Sequence, residues 1–152
     1  MKTLAQRQDI AEIQRRLKTI RPECTRRWGQ MSAHQMICHL SDSFLAVSGR
    51  KYVSMATSPW HRTVIKWLAL YAPLPWPHGV RTRPEIDQAL GGTLPDDFVA
   101  DVALLETLFA QFTDDIDSMD GLVHPIFGPM SKSDWLRWGY LHMDHHLRQF
   151  GC

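Results

Sequence analysis

Apolar residues recur at helical spacing through most of this chain. Ile10, Ile13, Leu17 and Ile20 mark a first amphipathic helix that stops before Pro22. In "MSAHQMICHLSDSFLAVSG" (31–49), Ser32 followed three residues later by Gln35 is a capping-box pattern. Ile37, Leu40, Phe44 and Val47 then predict a second helix ending near Gly49. "SPWHRTVIKWLALY" opens a third, with Ser58 as N-cap and Pro59 at the first helical position. A fourth runs from about Asp96 to Phe112 with Phe98, Val102, Leu105 and Phe109 along one side. A turn-rich approach, "GLVHPIFGPM", leads to a last helix capped by Ser131 or Ser133. Alternating apolar and polar residues, the signature of a strand, appear nowhere convincingly. Residues 73–95 are crowded with Pro and Gly, an irregular connection of the kind that often carries function. Four to five helices with one long crossover imply an antiparallel all-α bundle whose polar sites sit between facing helices.

Composition narrows the picture without redirecting it. The 152 residues suit one domain, 1–152, with a sizeable core, and 44% apolar with 22% charged residues is ordinary for a globular protein. A formal net charge of +1 gives no global argument for nucleic acid or an anionic membrane. Three widely spaced cysteines fit neither a disulfide framework nor a CxxC site and suggest a reducing compartment. "MKTLAQRQDIAEIQ" lacks the apolar core of an export signal, and "VIKWLALYAPLPWP" is too short and Pro-broken to span a bilayer. A cytoplasmic location is therefore expected. An exposed patch on that apolar segment would suggest a homodimer.

The candidate chemistry lies in "GYLHMDHHLRQFG" (139–151). On a wheel at about 100° per residue, Leu136, Tyr140, Met143, Leu147 and Phe150 face the core, and Arg137, Asp144 and Arg148 face water. His142 and His146 lie one turn apart beside Trp135 on the flank of the apolar stripe; His145 turns nearer the wet side. Two imidazoles at i and i+4 can hold one divalent ion, but histidines bonded to carbonyls explain the same spacing. His39, on the shoulder of the second helix's stripe, is the best candidate for a third ligand. His34 lies about 140° round from it and reads as solvent-near. His124 reads as a turn residue that could border the pocket. His61 and His78 carry no readable signal.

"RWGQMSAHQMICHLSDSF" (27–44) together with "HPIFGPMSKSDWLRWGYLHMDHHLRQFG" (124–151) resembles the DinB/YfiT-like superfamily of metalloenzyme-like proteins, most of all its DUF1569 group of unknown function. The resemblance implies an up-down-down-up four-helix bundle and a metal triad of His39, His142 and His146. "HHLRQ" departs from the "HRGQ" of better-studied branches, and His145 is an extra imidazole, which weakens any transfer of substrate. Some similar proteins are thiol S-transferases or thiol-dependent isomerases.

Three neutral imidazoles leave a coordination position open on Zn²⁺, and ligand type alone does not choose between Zn²⁺ and Ni²⁺. The expected activity is metal-assisted deprotonation of a low-molecular-weight thiol or water for attack on a small-molecule electrophile, in the manner of an S-transferase or hydrolase. Asp42 and Gln149 are expected to orient ligands, and ordinary polar helix positions explain them equally well. Cys38 points away from His39 and is not read as a nucleophile. No Glu or Asp joins the histidines, so a non-catalytic metal- or ligand-binding bundle or sensor is the rival expectation, and a dimeric interaction module built on the apolar "KWLALYAPLPWP" segment is a third.

Overall fold

A computed structural model describes residues 1–56 and 58–151. The described chain is mostly helical, with α1 over Arg7–Leu17, α2 over Ala33–Val47, α3 over Lys66–Tyr71, α4 over Phe98–Asp114 and α5 over Lys132–Gln149. Its one sheet pairs β1, Val123–His124, antiparallel with β2, Gly128–Pro129. α2 lies along α4, and α5 packs against both α1 and α3. No helix among the described residues is long and apolar enough to cross a membrane.

The caps that the sequence predicts set the registers of α2 and α5. Ser32 Oγ accepts from Gln35 N while the Gln35 side chain returns a bond to Ser32 N, a closed capping box on α2. Ser131, not Ser133, does the same for α5 with Asp134 as its partner. Ser58 Oγ accepts from His61 N at 3.4 Å, so the third helical segment begins where expected. It opens as a wide π-helical turn over His61–Ile65 before continuing as α3.

Ile13, Leu17, Ile37, Leu40, Leu105, Trp135, Met143 and Leu147 are almost fully buried in one core. Phe44 sits at its centre, with ring centroids 5.1 Å from Phe112 and 5.9 Å from both Phe109 and Trp138. Gly139 lets α5 come close here. A Cβ at that position would stand 2.7 Å from both Leu4 Cδ1 and Phe112 Cε1, so even alanine would need the neighbours to move.

Three readings need correction. Arg137, placed on the wet face of the last helix, is buried; its Nε donates to Leu70 O at 2.7 Å and its Nη1 to Lys2 O. The chain's start and the end of α3 cover a helix face that the wheel leaves open. His34, read as solvent-near, is half-buried and paired with Asp101 at 2.7 Å. The turn-rich stretch before α5 contains a two-residue ladder, too short to alternate visibly. By contrast, Trp60, Val64, Trp67 and Leu68 do leave an exposed apolar face on the third helical segment.

Candidate metal centre

α2 presents His39 and α5 presents His142 and His146 to the same buried point. The ring centroids are 5.4 Å apart for His39–His142, 4.8 Å for His39–His146 and 5.0 Å for His142–His146. One nitrogen from each ring lies within 4.8 Å of the others, and all three residues are buried.

Hydrogen bonds assign the tautomers of two rings. His39 Nδ1 lies 2.8 Å from Ile86 O. A carbonyl oxygen only accepts, so Nδ1 carries the hydrogen and Nε2 keeps its lone pair. His146 Nδ1 lies 3.0 Å from Gln149 Oε1, while Gln149 Nε2 donates to Trp28 O at 2.8 Å. The Trp28 bond fixes which end of the amide is oxygen, so His146 also holds Nδ1–H and a bare Nε2. His142 differs: its Nδ1 is buried with no hydrogen-bond partner among the described residues. Its ring is held by aromatic packing, 5.0 Å from Trp138 and 6.0 Å from Trp76.

Burial depresses the basicity of all three rings. Desolvation lowers His39, with the Ile86 bond acting in the opposite direction. Burial and then the neighbouring imidazoles push His142 and His146 well below the usual histidine range. At neutral pH the rings are therefore uncharged, the form in which imidazole ligates a metal. The donor set fits a divalent first-row cation. Two rings are pinned with lone pairs free, and the orphaned His142 nitrogen is costly to bury unsatisfied. The residues that could hold such an ion are His39, His142 and His146.

The other sequence candidates fall around this centre at different removes. Gln149 touches His146 directly. Asp42 touches no ring; its buried carboxylate accepts from Lys51 Nζ at 2.7 Å, Thr93 N at 2.8 Å and Gln88 Nε2 at 3.0 Å. It thereby ties down the loop that carries the Ile86 carbonyl. His145 stands at the rim, 5.1 Å from the His146 ring and 5.9 Å from Trp76, lowered to about 4 chiefly by burial. His124 is the buried second residue of β1, not part of the turn, and its Nδ1 accepts from Ile126 N and Phe127 N in the turn that follows. Trp135 is fully buried core behind the site, 5.7 Å from Trp138. Cys38 is buried on another side of α2, and burial with Asp101 pushes its thiol up to about 12.

Sequence reasoning misses Ile86, Trp76 and His78. Trp76 folds back from the Pro-rich connection, its Nε1 donating to Ala69 O at 2.7 Å, and leans over His142 and His145. His78 stacks on Trp28 with centroids 4.0 Å apart. The only signal for these was the length and Pro/Gly density of the 73–95 connection.

No curated protein and no solved structure matches the chain. The family model described as "Protein of unknown function (DUF1569)" matches residues 3–151, nearly the whole length, and the chain therefore belongs to the DUF1569 family.

Proposed function

We propose that this chain is a DinB/YfiT-like metalloenzyme, a four-helix bundle of α1, α2, α4 and α5. It holds one divalent cation, zinc or nickel, through His39, His142 and His146, and acts on a small-molecule electrophile with a thiol or water as nucleophile. The observation that carries this reading is the convergence of three buried, uncharged imidazoles from two helices. Hydrogen bonds free the Nε2 lone pairs of two of them.

When bound, the cation would supply uncompensated positive charge that draws a proton from a water or thiol near neutral pH. The chain's own residues do the rest. His39 and His146 are oriented by Ile86 and Gln149, so little is left to organise when a ligand arrives. Trp76 and Trp138 wall the cluster on the His142 side, where they exclude water and offer apolar surface to a small organic substrate.

One observation favours the non-catalytic alternative, a metal-dependent sensor. Among the described residues, none of the three rings hydrogen-bonds a carboxylate, and the one extra titratable ring at the rim is His145. The experiment addresses both. Untagged protein is analysed for metal, and the loaded form is screened with cellular thiols against small electrophiles. One first-row ion per triad, lost in His142→Ala and His146→Ala, with metal-dependent turnover, supports the enzyme. Metal without turnover across the screen supports the sensor. Metal content unchanged by both variants removes the centre altogether.

A further inference from the structure

A second group of ligand-type side chains lies on another side of α2 and plays no part in the centre above. His34 and Cys38 are four residues apart on α2, and Asp101 faces them from the first turn of α4. His34 Nε2 lies 2.7 Å from Asp101 Oδ2, and Cys38 Sγ lies 3.6 Å from the same oxygen. One ligand atom from each residue falls within 4.8 Å of the others. Asp101 Oδ2 also accepts from Asp96 N at 3.3 Å, so a single oxygen gathers three donors.

We propose that His34, Cys38 and Asp101 form a second and separate site for a zinc-class divalent cation, one that clamps α2 to α4. Imidazole nitrogen, thiolate sulfur and carboxylate oxygen are the three donor types zinc takes from proteins. Tetrahedral zinc sets such donors about 3.3 to 3.8 Å apart. The His34–Asp101 contact, 2.7 Å, therefore opens by at least about 0.6 Å to admit the ion, while the Cys38–Asp101 spacing of 3.6 Å already fits. Cys38 binds as thiolate, and its proton passes to solvent. Cys38 is buried, whereas the side chains of His34 and Asp101 are 18% and 19% exposed. The site is thus walled on the sulfur side and open to entry and to a solvent ligand on the other. The Phe98 ring, 5.2 Å from His34, closes one edge.

The proposal does not depend on the histidine triad, because donor chemistry separates the two sites: one is all nitrogen and the other contains sulfur. Untagged protein, stripped over a chelating resin, is reloaded with Zn²⁺ for metal analysis and with Co²⁺ for absorption spectroscopy. The expected result is two zinc ions per chain and a near-ultraviolet sulfur-to-cobalt charge-transfer band. His142→Ala should bind one ion and keep the band; Cys38→Ser and His34→Ala should bind one ion, and Cys38→Ser should lose the band. A wild-type spectrum without a thiolate band overturns the second site without any variant, so a misfolded Cys38→Ser leaves the test intact. One ion with a nitrogen-only spectrum sinks this site and spares the triad. One ion with the band, retained in His142→Ala, does the reverse. A band that persists in Cys38→Ser also overturns the assignment, since the sulfur then belongs to another cysteine.

Discussion

His146 gives its Nδ1 hydrogen to Gln149 Oε1, 3.0 Å away and three residues further along α5. The same amide donates to Trp28 O at 2.8 Å, which joins the last helix to the segment ahead of α2. A helix residue at i+3 can fix a ligand's tautomer only if something else fixes the helix residue, and the Trp28 carbonyl does so here.

Replacing Gln149 with leucine should therefore leave the fold in place and loosen His146. Partners of metal-ligating histidines are commonly worth about tenfold to a hundredfold in metal affinity. Competition of the Gln149→Leu protein with a chromophoric chelator should show zinc bound at least tenfold more weakly. Circular dichroism checks the helical content. An unchanged affinity would mean that packing alone orients the His146 ring.

Gly29 predicts a related effect from the other side of the contact. Its φ is +78°, and a Cβ there would stand 2.5 Å from Gln149 Nε2. Left-handed backbone at a non-glycine residue costs about 1–2 kcal/mol before any clash is counted. Gly29→Ala should lower stability by about 2 kcal/mol in urea unfolding and also weaken metal binding. In a Gln149→Ala background the clash is gone, so the penalty should shrink to the backbone part. Equal penalties in both backgrounds would place the cost in the backbone alone.

The difference between what was and was not legible follows from where each position is encoded. His39, His142 and His146 lie on regular helices, where spacing of about 3.6 residues per turn tells which side chains share a face. Ser32 and Ser131 announce their helices through side-chain chemistry that is local to four residues. Ile86 and Trp76 lie in the connection between α3 and α4, which has no period to read, and Ile86 contributes a backbone carbonyl that any residue carries. The burial of Arg137 escapes the sequence because a wheel shows what one helix presents, not what another segment lays over it. The ladder at Val123–Pro129 is shorter than the alternation needed to see a strand.

Asp42 acts on the centre at one remove, and its substitution should show both a structural and a metal-binding effect. Its side chain is 1% exposed and pairs with Lys51 at 2.7 Å. It also accepts from Thr93 Oγ1, Thr93 N and Gln88 Nε2. Lys51 is 23% exposed and can turn to water, but Thr93 N and Gln88 Nε2 would lose their acceptor, and an unsatisfied buried polar group typically costs about 1–3 kcal/mol. Asp42→Ala should lose about 3 kcal/mol in chemical denaturation. Because the 84–93 segment is then released and Ile86 O with it, zinc affinity should fall as well. A stability loss with zinc affinity intact would show that the Ile86 carbonyl is held by other means.

His124 should give the protein an acid sensitivity of its own, beside that of His39, His142 and His146. Burial takes it from 6.5 in the ordinary case to about 3. Below pH 6.5 the unfolded chain binds a proton that the folded chain refuses until about pH 3. The stabilisation is therefore complete above 6.5 and is lost progressively as pH falls through that window. At pH 5 the loss is about 2 kcal/mol, from 1.36 kcal/mol per pH unit. Asparagine at this position places an amide oxygen near the site of Nδ1, where it can accept from Ile126 N and Phe127 N without titrating. His124→Asn forfeits the ring stacked 4.7 Å from Phe127 and so starts from lower stability at pH 7.5. Its further loss between pH 7.5 and 5, measured by urea unfolding of metal-free protein, should be smaller than that of the parent by about 2 kcal/mol. Parallel pH profiles would mean that His124 is already protonated in the folded chain at pH 5, contrary to its burial.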